Sequence, residues 1–136
     1  MILVDTSVLI DYLKGIDNRA VAAFDKILEN GMSYGINEFI YLEVLQGART
    51  AIEYRKLLEY FETIPFYTLN RGKESYERAA HLNFACRRSG VTVRSTIDLL
   101  IAQTAIENNL FLLHNDSDFT NMAKAIKELK IFEIRK

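Results

Sequence analysis

The stretch "ILVDTSVLIDYLKG", residues 2–15, passes from an unbroken apolar run through an acid into a helix-like pattern. Ile2, Leu3 and Val4 show no polar alternation, which suits a strand covered on both faces. Asp5 ends the run, and "SVLIDYLKG" after it reads as a helix stopped by Gly15. The same transition recurs in "LFLLHNDSDF", residues 110–119, where Leu110–His114 reads as a strand opening on Asp116 and Asp118. Buried strands alternating with helices predict an α/β fold of three layers, a central, mostly parallel sheet flanked by helices.

The remaining segments fit that frame. "IDNRAVAAFDKILENG" (16–31) predicts a helix with Asp17 or Asn18 at its N-cap and Gly31 just past its end. "MSYGI" (32–36) predicts a short strand, and "NEFIYLEVLQGA" and "TAIEYRKLLEYFE" two helices broken at Gly47. "TIPFYTL" (63–69) reads as extended, since its β-branched and aromatic residues favour strands and Pro65 would break a helix. A long amphipathic helix is expected from Arg71 to Arg88, ending at Gly90, then a strongly apolar one, "IDLLIAQTAIENN", capped by Thr96. "FTNMAKAIKELK" predicts a last helix and "IFEI" a last strand.

A chain of 136 residues, without repeats, low-complexity tracts or a visible linker, is read as one domain over 1–136. The lone Cys86 has no partner for a disulfide or a zinc site and reads as a buried thiol. No uncharged apolar run reaches membrane length and the N-terminus lacks the pattern of a signal peptide, so a soluble cytoplasmic protein is expected. A net charge of −1 excludes attachment to nucleic acid by bulk positive charge and leaves only a local patch.

Ligands in open α/β sheets collect beyond the carboxyl ends of the strands, where Asp5 and Asp116 fall. Capping the following helix is the competing reading for each. Glu43 shares a helix face with Phe39, Ile40 and Val44, either as an edge residue reaching water or as a group aimed into a site. Asp98 lies in the first turn of the apolar helix, where the helix dipole also favours an acid. If the four converge, each pair about 5 Å apart repels by roughly 3 kcal/mol at an effective dielectric of 20. Such a nest calls for a cation or raised pKa values, and oxygen-only donors favour Mg²⁺ or Mn²⁺. A metal held this way suits phosphodiester hydrolysis.

With those motifs in their order, the chain resembles the PIN-domain ribonucleases, and most closely the VapC toxins of toxin–antitoxin pairs. The resemblance rests on "ILVDTSVLIDYLKG", "NEFIYLEVLQG", "TIDLLIAQTAIENN" and "LFLLHNDSDF" and covers essentially the whole chain. It implies a metal-binding catalytic set of Asp5, Glu43, Asp98 and Asp116, with Asp5 and Asp98 as principal ligands and Asp118 and Thr6 as auxiliaries. It also implies Mg²⁺ or Mn²⁺ as cofactor and cleavage of RNA to a 5′-phosphate and a 3′-hydroxyl by metal-activated water. The implied partners are RNA, a small VapB-like antitoxin lying across the active site, and a second copy of the chain in a homodimer. His114 departs from the pattern, standing where such proteins commonly carry Ser or Thr.

Six basic residues against two acids between Arg71 and Arg94 make a local balance of +4, and "RRSGVTVR" brings Arg87, Arg88 and Arg94 toward Asp98 as candidate RNA contacts. A solvated helix face is the alternative for them. Neither His81 nor His114 has an obvious catalytic partner. Apolar residues of the first helices and of "YRKLLEYF" are candidates for an antitoxin groove or a dimer face. Rival functions read less well. A haloacid-dehalogenase phosphatase wants Asp-x-Asp after the first strand, where this chain has "DTS"; a receiver domain wants an acidic pair there; no Gly-rich nucleotide motif is present. A housekeeping RNA-processing nuclease of the same chemistry and a non-catalytic RNA- or protein-binding PIN-like domain stand as alternatives.

Overall fold

In the computed structural model, residues 1–134 are described. Strand β1 (Ile2–Val4) leads into α1 (Thr6–Leu13) and α2 (Arg19–Glu29), then β2 (Tyr34–Gly35) and the helices α3 (Glu38–Gln46) and α4 (Ala51–Phe61). The long α5 (Lys73–Arg88) and α6 (Thr96–Glu107) precede β3 (Phe111–Leu113), α7 (Ser117–Ala125) and β4 (Lys130–Ile131). The strands form one parallel sheet in the order β2-β1-β3-β4, with Leu3 beside Leu112 and Val4 beside Leu113.

Successive strand residues point to opposite faces of a sheet, yet Leu3, Val4, Leu112 and Leu113 are all fully buried. Helices therefore cover both faces, the three-layer arrangement that the unbroken apolar runs predict. Burying each of these side chains contributes about 1.5–3 kcal/mol. Phe24, Phe119, Ile36, Ile40 and Ile101 extend the same core into the helical layers.

Several local expectations need correction. "TIPFYTL" forms no ladder; it touches the sheet edge only around Ile36, whose N–H donates to the Pro65 carbonyl while Tyr67 N–H donates to the Ile36 carbonyl. Gly35 permits that approach, since a Cβ there would lie 2.5 Å from the Pro65 oxygen. Thr96 is the first residue of α6 and not its cap; Ser95 occupies the cap position without a side-chain bond. The last helix begins earlier than predicted, because Asp116 caps it, and ends at Ala125, where Ile126 turns extended. "KELK" is consequently outside the helix, and of "IFEI" Ile131 lies in the strand with Lys130 while Phe132 N–H donates to the Leu112 carbonyl just beyond it. Asn18, of the two candidates, caps α2 by accepting from Val21 N–H.

Candidate active site

The polarity of a parallel sheet sends β1 and β3 out on one edge, and each delivers an aspartate there. Asp5 is 4% exposed, and its Oδ2 accepts from Ser7 N–H at 3.1 Å and from Ser7 Oγ at 2.7 Å. Ser7 Oγ in turn accepts from Asn115 N–H at 3.0 Å, tying the mouth of β1 to that of β3. Asp116 Oδ1 accepts from Asp118 N–H at 2.9 Å, while Asp116 N–H donates to His114 Nδ1 at 3.1 Å. Both aspartates are helix caps, and in each only one carboxylate oxygen is used for the cap.

The other acids come from α3 and α6, which one buried asparagine locks together. Asn37 caps α3 by accepting from Ile40 N–H and donates through Nδ2 to Thr104 Oγ1 at 3.0 Å on α6. Thr104 passes its proton on to the Leu100 carbonyl at 2.8 Å. Glu43 is half-buried, and its Oε1 accepts from Thr6 Oγ1 at 2.7 Å. Asp98, also half-buried, offers an oxygen that lies within 4.8 Å of one from Asp116 and one from Asp118, all three mutually close.

The five acids are coupled electrostatically. Asp98 is pushed from 3.8 up to about 7, first by burial and then by the charges of Asp5, Asp116, Glu43 and Asp118. Burial likewise raises Asp5 to about 6; the hydroxyl and backbone donors of Thr6 and Ser7 oppose this, and Glu43 adds to it. At neutral pH the cluster either keeps protons or takes a cation. Its donors are all oxygens, and three lie close enough together to share one small ion, so the residues fit a hard divalent metal. Among the described residues the one cation within salt-bridge distance of these acids is Arg94, whose Nε is 3.8 Å from Asp118 Oδ1 and whose side chain is 80% exposed.

The sequence reading placed Asp118 as an auxiliary, whereas geometry sets it inside the closest trio and leaves Asp5 and Glu43 beside that trio, each held by a hydroxyl. Ser7 and Asn37 escaped notice. The Asp-x-Ser spacing at a strand-to-helix junction was the available signal for Ser7; nothing local marks Asn37 as more than a cap. His114 occupies a specific place: its Nδ1 accepts from the Asp116 backbone, so the ring orients the turn that carries Asp116. Burial lowers its pKa, partly offset by Asp116, which favours a neutral ring with the proton on Nε2. Arg87 and Arg88 end α5, exposed, where they also suit the helix dipole.

Between α1, α3 and α4, Ile10, Leu13, Val44, Leu57 and Tyr60 line a groove of about 730 Å³ whose charged lining residues are Lys14, Arg49, Glu53 and Lys56. Val44 in its wall directly follows Glu43. Among the described residues no helix is long and apolar enough to cross a membrane.

Comparison with known proteins accounts for nearly the whole chain. The family model described as "PIN domain" matches residues 2–125. Ribonuclease VapC11 of Mycobacterium tuberculosis and a VapC ribonuclease of Mycobacterium bovis are each 31% identical over 125 residues, 91% of this chain and 92% of the relative. Among solved structures, VapBC2 of Rickettsia felis, bound to a promoter DNA fragment, superposes with a TM-score of 0.72 at 18% identity, over 97% of this chain and 98% of that one. VapBC-1 of nontypeable Haemophilus influenzae superposes at 0.69 with 21% identity, over the full length of both chains. At these identities the superpositions speak for the fold.

Proposed function

The chain belongs to the PIN domain family, and on that premise we propose that it is the toxin of a toxin–antitoxin pair, a metal-dependent endoribonuclease. One observation carries this reading: five carboxylates from four separate segments meet at the carboxyl edge of the sheet, two of them with raised pKa values. The relatives named ribonuclease VapC supply the substrate class, and the VapBC complexes among the structural neighbours supply the kind of partner.

Asp98, Asp116 and Asp118 would hold Mg²⁺ or Mn²⁺, with Asp5 and Glu43 completing the negative field. A cation bound there supplies Lewis-acid chemistry, activating water and stabilising charge on the phosphate. Ser7 and Thr6 keep the carboxylates of Asp5 and Glu43 oriented, so the cluster is preorganised before substrate arrives. His114 holds the turn beneath Asp116. Arg94 at the rim meets a phosphate of the incoming strand, exchanging its contact with Asp118 for one with RNA. The groove between α1, α3 and α4 receives an apolar segment of the antitoxin, which then blocks the neighbouring acids.

Single-stranded RNA incubated with the purified chain should be cut in Mg²⁺ or Mn²⁺ and left intact in EDTA. Cleavage undiminished by EDTA would overturn the metal mechanism. A short reading frame beside the gene, whose product suppresses that cleavage, is the expected partner.

A further inference from the structure

Phe84 faces away from the core. On α5 the inward stripe is Ser75, Ala79, Leu82 and Cys86, all buried, and Phe84 projects from the opposite side with 54% of its surface exposed. A large aromatic ring on the wet side of a helix gains nothing from core packing. Its neighbours one turn away build on it. The His81 ring lies 5.8 Å from it, tilted by 39°, and the Arg88 guanidinium sits 5.7 Å above its centroid. The result is an exposed aromatic ring with a guanidinium over one face and an imidazole beside it, groups on whose planes bases of single-stranded nucleic acid stack.

Charge singles out the same end of the helix. Residues 71–78 carry Arg71, Lys73 and Arg78 against Glu74 and Glu77, a balance of only +1, with Glu74 shared between Arg71 and Arg78, whereas residues 81–94 carry Arg87, Arg88 and Arg94 and no acid. Among the described residues, Arg87 and Arg88 have no acidic side chain within salt-bridge distance. The unneutralised charge therefore gathers around Phe84, and residues 89–95 lead directly from there to Arg94 at the acid cluster. Phe111 with Lys130 forms a second pair of the same kind, 5.8 Å apart, but it lies at the start of β3, on the sheet edge opposite the acids.

We propose that Phe84, with His81 and Arg88, is a stacking platform for an unpaired base of single-stranded RNA, separate from the acid cluster and on the substrate's path to it. The proposal rests on the ribonuclease reading above. It makes the enzyme prefer unpaired over duplex RNA, because duplex bases are already stacked.

The test uses the full chain carrying Asp98→Asn, so that RNA is bound and not cut. Fluorescence anisotropy follows a 5′-labelled single strand of about a dozen nucleotides and the same strand in a duplex. Phe84→Leu should weaken single-strand binding by about tenfold and leave duplex binding nearly unchanged, whereas Phe84→Tyr should retain binding. Phe111→Leu, carrying the same change on the far edge, should bind like the parent. Equal affinity of parent and Phe84→Leu would overturn the platform while leaving the nuclease reading intact. A parent that binds no RNA at all would overturn both. Sedimentation of the same variants covers the other use of such a face: a dimer lost in Phe84→Leu at unchanged RNA affinity would make it a contact between copies of the chain and defeat the proposal.

Discussion

The two edges of the sheet share strands, burial and neighbours, yet their chemistry is opposite. At the carboxyl edge Asp5, Asp98, Asp116 and Asp118 gather with Glu43. At the amino edge, Met1, Ile2, Phe111 and Ile131 help to line an apolar groove of about 960 Å³, with Arg19 and Lys26 among its walls. The difference follows from strand polarity. Parallel strands all run into helix starts on the same side, and helix starts present free N–H groups. Ser7 N–H and Asp118 N–H are such groups, and they are what hold Asp5 and Asp116. An edge that can seat single acids with backbone donors can collect several; the other edge carries Arg19 and Lys26 in its walls and gathers no comparable acid cluster among the described residues.

The largest effect should come from breaking the acidic edge at its centre. Asp98→Asn removes a carboxylate that lies within 4.8 Å of oxygens of both Asp116 and Asp118, and RNA cleavage in Mg²⁺ should fall by roughly a thousandfold with an unchanged circular dichroism spectrum. Activity near wild type would dismiss the cluster as a catalytic centre. Leu112→Ala strikes the core beneath both edges and should cost about 2–5 kcal/mol in urea unfolding.

Metal and pH sharpen the contrast. Mg²⁺ should raise the melting temperature of wild type and move Asp98→Asn much less, since the variant has lost both repulsion and a ligand. Equal shifts would place the ion elsewhere. Without metal, Asp98 and Asp5 bind protons more tightly folded than unfolded, with folded values of about 7 and 6 against 3.8. Below pH 4 both states are protonated and the acids cost nothing. Between about pH 4 and 7 the unfolded chain ionises first, so metal-free stability falls as pH rises and levels off above 7. In EDTA the melting temperature should therefore drop from pH 5 to pH 8, and less steeply in Asp98→Asn; parallel slopes would deny Asp98 its raised pKa.

The smallest effect belongs to the rim. Arg94→Ala should weaken RNA binding two- to threefold and lower the salt slope by about one, while Lys130→Ala, at the far edge, should do neither.

Much of this was legible in the chain. The uninterrupted runs at Ile2–Val4 and Leu110–Leu113 announce doubly covered strands, because a strand with a wet face would alternate. The acids at their ends announce a site. Asp5 and Asp116 also look like helix caps, and they are: one oxygen caps, and the two readings coexist. Boundaries fared worse where a local signal competed with a cap. Asp116 starts α7 ahead of the apolar pattern, and Ile126, though apolar and in phase, has already left the helix. Glycine at 35 gave no hint of the Pro65 carbonyl it admits, since that neighbour is thirty residues away.

What the sequence determined by itself is the set of elements and the acids at their mouths, because periodicity and caps act between residues within a turn or two of each other. Which acids meet was decided by tertiary structure alone. Thr6 finds Glu43 across 37 positions, Ser7 finds Asn115 across 108, and Asn37 fixes α3 against α6 through Thr104 across 67. No short-range pattern records such pairs, for they depend on strand order and helix crossing. Asp118 joins the trio with Asp98 for that same reason.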